Sequence, residues 1–406
     1  SDWREFFIKD LSTGKNLCDH LEWIKFSGMS WTESGFYYNA FTKPSDGREL
    51  SDINQSSKVF FHKLGTSQSD DSLIFSDLTN PKISNYPSTT NDRRFLIIYR
   101  TKGTYGNALL VKDLNNADSE FVSIVDDFTS EIDIIDNIGG KLIAITDRNA
   151  AKKKVVLIDF KNPNEKNWVT TIPENNNILT SVNLVNDKLV AHYMVNVLSS
   201  WIIHDINGEI IKKVELPGPG ISYGFHGNKG QSVSWYIFES LVHPPTIFMY
   251  DFESLISSTY YESKAKFDKN RFIMKQDFYF SKDGTRIPIF IAHEKKLVLD
   301  NMAPTLLYGY GGFNISEKPY FNKTIPVILE NGGVYAIACI RGGGEYGQDW
   351  HSQGMLSRKQ NVFDDFISAA EFLMVQGFTS TEKLAIQGGS NGGTLIGAVI
   401  NQRPDL

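Results

Sequence analysis

Short apolar runs recur through the first two thirds of the chain, each closing on a polar pair before a turn: LLVKDL ending at Leu114, VVLIDF at Phe160, WIIHDI at Ile206 and IFMYDF at Phe252. The aspartates carry the period. Asp113, Asp159, Asp205 and Asp251 are 46, 46 and 46 residues apart; the matching places upstream are Lys63 in VFFHKLG, 50 residues earlier, and Asp10 in FFIKDL, 53 before that. A second apolar strand precedes each marked one, at 95–99, 141–146, 188–193 and 233–238, and Gly, Asn and Asp gather between them as turns require. Repeats of about 40–50 residues built from four strands, with no helical period, describe the blades of a β-propeller. Asp10 to Asp251 then mark about five whole blades and the tail of an earlier one. A closed ring is favoured over a solenoid because every exposed sheet edge otherwise needs a cap. The repeated aspartates are expected to be turn formers that end outer strands, not catalytic carboxylates.

Beyond about residue 264 the pattern changes to strands alternating with helices. Lys282-Asp283-Gly284, between DFYF (277–280) and IPIFIAH (287–293), predicts a tight hairpin. TLLYGY, VYAIACI (334–340) and KLAIQ (383–387) are near-continuous apolar runs, the mark of parallel strands covered on both faces. Val362, Phe363, Phe366, Ile367, Ala370 and Leu373 recur at three- and four-residue intervals. They predict an amphipathic helix over 361–376 with Asn361 as its N-cap and Gly377 just past its end. After Gln387 come Gly388-Gly389-Ser390-Asn391-Gly392 and then TLIGAVINQR, apolar at Leu395, Ile396, Val399 and Ile400 until Pro404 stops it. The pattern therefore divides the chain into a β-propeller over 1–264 and an α/β domain over 265–406.

That context gives Ser390 its meaning. A G-x-S-x-G pentapeptide between a buried strand and a helix is the setting of a nucleophile elbow. A strained turn lifts the serine oxygen clear of the backbone, and its neighbours must lack side chains so that strand and helix can approach. The helix N-terminus points unpaired N–H groups and partial positive charge at the place where an oxyanion would form. A second glycine cluster, Gly342-Gly343-Gly344-Glu345-Tyr346-Gly347, fits G-x-G-x-x-G after a strand. A dinucleotide loop opens straight into a helix, whereas Gln348 to Gly354 shows no helical period, so this reading is set aside.

Composition narrows the classes. The 406 residues suit two or three domains at ~150 residues each. A 41% hydrophobic share with 13% aromatics excludes disorder and fits a strand-rich globular protein. The net charge of −6, with no basic run beyond Lys152-Lys153-Lys154, gives no electrostatic case for nucleic acid or an anionic membrane. No run approaches the ~18 apolar residues of a membrane span. Cys18 and Cys339 form neither a disulfide framework nor a zinc pattern, so a reducing, cytoplasmic setting is the default, despite N-x-S/T triplets at Asn54, Asn314 and Asn322. A monomer is expected.

Three motifs in order, YGYGGFNIS (308–316), IRGGGEYGQDWH (340–351) and GGSNGG (388–393), following a propeller pattern, resemble the prolyl oligopeptidase family of serine peptidases over essentially the whole chain. The resemblance implies a seven-bladed propeller capping an α/β-hydrolase domain, with about five to six blades present here. It implies Ser390 as nucleophile, with the Asn391 N–H and the Tyr310 hydroxyl as the oxyanion hole. It also implies that Phe313 lines the pocket for the residue before the cleaved bond and that Phe26, in KFSGMSW, reaches the cavity from the propeller. The alternative for Phe26 is a blade core residue. Substrates would be short proline-containing peptides cleaved after internal proline, with no metal or cofactor. Gly311-Gly312-Phe313-Asn314 resembles the proline-cleaving branch more than its sister branches.

A serine hydroxyl needs a histidine to take its proton and a carboxylate to orient that histidine, and in α/β-hydrolases both follow the serine. The sixteen residues after Ser390 contain Asp405 but no histidine. All eight histidines precede the elbow; His351, after the glycine loop, is expected to be structural. Truncation at both ends is the expectation, with the 406 residues inactive by themselves. The alternatives are a sister-branch oligopeptidase with another preference before the cleaved bond, or an inactive propeller scaffold that binds a partner.

Overall fold

In the computed structural model, which describes residues 2–406, the 46-residue repeats become four-stranded antiparallel sheets. The chain divides into two compact units, Ser1–Pro173 and Glu174–Leu406. The first unit opens on a hairpin, Arg4–Lys9 with Asn16–Ile24, and holds three four-stranded sheets whose third strands are Lys58–Lys63, Asn107–Asp113 and Lys154–Asp159. The second unit opens on two more, with third strands Leu198–His204 and His243–Asp251.

The marked aspartates end or follow these third strands, not the outermost ones as the spacing alone suggested. The reason is local: the chain must reverse into the fourth strand, and the carboxylate closes that turn on the amide two residues on. Asp113 accepts from the Asn115 N–H at 3.1 Å, Asp159 from Lys161 at 2.9 Å, Asp205 from Asn207 at 2.9 Å and Asp251 from Glu253 at 2.9 Å. Asp10 does the same for Ser12 at 2.8 Å within the opening hairpin. Where Lys63 replaces the aspartate, the equivalent amide, that of Gly65, is taken at 2.6 Å by Asp19 from the neighbouring hairpin. The exception to the repeat therefore preserves its chemistry.

The rest of the second unit is a mixed five-stranded sheet. Its order is Phe272–Phe280, Arg286–Glu294, Val334–Ala338, Thr305–Tyr308, Leu384–Gln387. The first two form the expected hairpin through Gly284 at φ 82°, and the last three run parallel. Val334–Ala338 is buried throughout, as a central strand should be. Leu384–Gln387 is not covered on both faces: Leu384 and Ile386 pack on the core while Ala385 and Gln387 point to the other, exposed face.

Four helices accompany this sheet: α1 (Thr324–Glu330), α2 (Gln348–Ser352), α3 (Gln360–Val375) and α4 (Asn391–Gln402). The five-residue α2 forms where no helical period was legible. The expected N-cap of α3 is also corrected: Lys359 holds that place without a capping side chain, and the Asn361 amide instead donates to the Gln353 carbonyl at 2.9 Å. The other end is as expected, with Gly377 at φ 85°, its N–H on Met374 O at 3.1 Å, and the Phe378 N–H on Leu373 O at 3.0 Å. Val362, Phe366, Ala369 and Leu373 of α3 and Leu395 and Val399 of α4 bury against Leu307, Ala336 and Ile340. This packing fixes both helices on the sheet and aims the start of α4 at its carboxyl edge.

Candidate active site

The turn from Leu384–Gln387 into α4 places Ser390 at φ 52°, ψ −115°, a left-handed conformation that costs an ordinary residue about 1–3 kcal/mol. The serine is exposed, and Asn391 is the first residue of the helix, whose N–H has no carbonyl one turn back. The glycines do what the elbow requires: a Cβ on Gly388 would lie 2.5 Å from the Gly392 carbonyl oxygen. Strand end and helix start are in backbone contact there.

The segment after Thr305–Tyr308 is bound to this elbow. The Gly309 N–H donates to Gln387 O at 3.1 Å, and the Asn391 side-chain amide donates to Tyr310 O at 3.1 Å. Tyr310 is half-buried, and its carbonyl is fixed by the residue that follows the serine. Three residues on, Phe313 stands at φ 54° and is 69% exposed, and Asn314 follows at φ 58°. Two successive strained residues persist only where neighbours over-determine them. Here the Lys359 ammonium holds Gly311 O at 2.6 Å and the Asn314 N–H reaches Gly342 O at 3.2 Å. Burial pulls the Lys359 pKa down. Nothing in the spacing of the sequence singled out Lys359.

Ser390, Asn391 and Tyr310 are thus brought together, with Phe313 on the same segment. Phe26 belongs to the other compact unit; at 58% exposure and φ 51°, with Lys25 Nζ 5.6 Å from its ring centre, it is not a blade core residue. Three of the histidines are held in bonds of their own. His351 Nδ1 donates to Gly342 O at 2.7 Å, fastening the glycine loop to α2. His62 is wholly buried between Asp19 (3.0 Å) and Asp71 (2.7 Å) in a propeller sheet. His192 bonds Thr180 and Ser199, and burial, with Lys318 nearby, pushes it down to about 3. The glycine loop itself is filled, not open to a ligand: a Cβ on Gly344 would fall 2.6 Å from Asn314 O.

A serine elbow at the edge of an α/β sheet, preceded by four-stranded propeller blades, defines the class: a β-propeller joined to an α/β-hydrolase-type domain. Comparison with known proteins takes this further. The profile described as "Prolyl oligopeptidase, N-terminal beta-propeller domain" matches residues 1–262, and that described as "Prolyl oligopeptidase family" matches 319–406. The chain belongs to the prolyl oligopeptidase family. All of it aligns with a prolyl endopeptidase of Elizabethkingia meningoseptica at 40% identity, covering 57% of that protein, and with one of Dictyostelium discoideum at 32%, covering 60%. A solved structure from a study of two prolyl endopeptidases superposes with a TM-score of 0.93 at 33% identity, covering all of this chain and 60% of the other. The chain thus spans less than two thirds of the length of these relatives.

Proposed function

We propose that the native gene product is a serine endopeptidase that cleaves short peptides on the carboxyl side of internal proline, with 1–264 as its propeller and 265–406 as the start of its catalytic domain. The observation that carries this is the exposed, strained Ser390 locked through Asn391 to the segment bearing Tyr310. Ser390 Oγ attacks the peptide carbonyl carbon, its proton passing to a general base and then to the departing amine; water resolves the acyl-enzyme. The base is not assigned to any histidine of these 406 residues. The developing oxyanion is met by the Asn391 N–H and the Tyr310 hydroxyl, and Phe313 lines the pocket for the residue before the cleaved bond. No metal or cofactor is part of this reading. The propeller acts as a size filter. Relatives bearing the name prolyl endopeptidase, and a family structure described as bound to a 35mer substrate, support the peptide substrate class. No helix among the described residues is long and apolar enough to cross a membrane. Cytoplasmic, monomeric operation is part of the same proposal; Cys18 and Cys339 are unpaired.

The test is kcat/KM of the native gene product on four peptides differing only in the residue before the cleaved bond: Pro, Ala, Arg and Phe. Preference for proline is expected. Preference for Arg or Phe moves the protein to a sister branch, and no cleavage favours a scaffold. Tyr310→Phe removes one oxyanion donor while keeping the ring, so turnover is expected to fall about 10²- to 10³-fold with the fold intact. Unchanged turnover with unchanged thermal stability removes Tyr310 from the oxyanion hole.

A further inference from the structure

Between the strand Thr305–Tyr308 and α1 the chain has no regular structure, yet this stretch carries Tyr310 and Phe313. Its geometry has to be imposed from outside, and much of it is imposed by the glycine loop. Cβ atoms on Gly343 and Gly344 would stand 2.7 Å from Ile315 O and 2.6 Å from Asn314 O, so the stretch lies directly on that backbone. At the end of the loop Glu345, only 2% exposed, turns inward, and its Oε1 accepts the Glu317 N–H at 2.8 Å. Cys339 Sγ donates to the Glu317 carbonyl at 3.3 Å, fixing the same residue through its other backbone group. Glu345 Oε2 has no hydrogen-bond partner among the described residues.

A buried, unpaired carboxyl oxygen is destabilising, and a leucine or methionine of similar size would avoid the loss. A position that carries such a loss is retained for what its other oxygen does. We infer that Glu345 is a positioning residue: through the Glu317 N–H it holds the Tyr310–Phe313 stretch on the glycine loop in the geometry that oxyanion binding and proline recognition need. The inference rests on the peptidase reading above. The groups facing Glu345 are Glu317, Lys318, Cys339 and Tyr346. Burial, with Glu317 adding to it, pushes the Glu345 carboxyl up to about 8, which favours the neutral acid, whose shape and acceptor glutamine reproduces.

Two shape-preserving variants of the native gene product separate the acceptor from the volume: Glu345→Gln keeps both, and Glu345→Met keeps only the volume. Amide exchange at pH 7, read over residues 309–323, and kcat and KM on the proline peptide are measured for each. In Glu345→Met, exchange of the Asn314 and Glu317 amides is expected to rise roughly threefold to tenfold, the gain from one lost hydrogen bond. Its kcat is expected to fall about 10- to 100-fold, as misplacement of transition-state donors does. Glu345→Gln is expected to return both to within about threefold of wild type, because the acceptor to Glu317 is restored. Unchanged exchange in Glu345→Met, a Glu345→Gln as impaired as Glu345→Met, or a loss confined to KM overturns the inference. Exchange reads the positioning without any peptide being cut. A wild-type protein that cleaves nothing therefore sinks the peptidase reading, while the exchange comparison still decides whether Glu345 holds the stretch.

Discussion

Ser390→Ala is expected to remove proline-peptide cleavage, by at least about 10⁴-fold in kcat, because loss of the nucleophile alone in a serine peptidase costs up to about 10⁶-fold. The fold should not notice. Alanine keeps the Cβ, and with it the strain of φ 52°, while the contacts that make the elbow, Gly388 on Gly392 and Gly309 on Gln387, are backbone contacts that the substitution leaves alone. A second variant turns that strain into a measurement. Ser390→Gly has no Cβ to clash in the left-handed region and should be more stable than either parent or alanine form by about 0.5–1 kcal/mol, yet equally inactive. Stability and activity then move in opposite directions at one residue, as expected where strain is held for function. The check is kcat/KM and the thermal midpoint of all three proteins. Cleavage above about 1% of wild type in the alanine form removes Ser390 from the mechanism, and a glycine form less stable than the alanine form removes the argument from strain.

The parts of this architecture that were legible in the sequence are those that local chemistry decides. The 46-residue period rests on a carboxylate needed two residues before an amide, the hairpin on Asp283-Gly284, the end of α3 on Gly377, and the elbow on glycines flanking Ser390. What was not legible depends on partners far along the chain. Which strand of a sheet an aspartate ends is a matter of pairing order, and the half-exposure of Leu384–Gln387 follows from which of its faces other elements cover. Asn361 is a good N-cap by type, but its amide found the Gln353 carbonyl first. Glu345 sat inside a glycine motif weighed and set aside as a dinucleotide loop, and its bond to the amide 28 residues earlier has no signature in spacing. Asp365 fell on the apolar face of α3, where a helical period records only an interruption.

That interruption marks the largest stability effect expected in the protein. Asp365 is wholly buried and receives the Arg341 guanidinium through Nη2 at 2.6 Å and Nε at 3.0 Å, the Arg341 N–H at 3.0 Å and the Ser281 hydroxyl at 2.5 Å. Arg341 is itself 1% exposed, and it also donates to Asp283 at 2.5 Å, Thr285 at 3.2 Å and the Ser281 oxygen at 3.3 Å. Burial works against the guanidinium charge; the bonds from Asp365 and Asp283 outweigh it and raise the Arg341 pKa. Asp365→Ala leaves that charge in the core with Asp283 alone, and should destabilise this half of the molecule by about 3–5 kcal/mol. Replacing both partners, as Arg341→Met with Asp365→Leu, should cost much less, since no charge is then stranded. Arg341 also opens the glycine loop, so Asp365→Ala should release the Tyr310 segment and lower cleavage before global unfolding. Acid should reproduce part of the effect. The Arg341 hydrogen bond is the main reason that Asp283 is held down at about 2 against an ordinary 3.8. Its contribution is therefore complete above pH 3.8 and disappears as the pH falls through about 2. Urea midpoints of wild type, Asp365→Ala and the double variant decide the matter: equal losses in the single and double forms would show that the cost does not come from a stranded Arg341 charge.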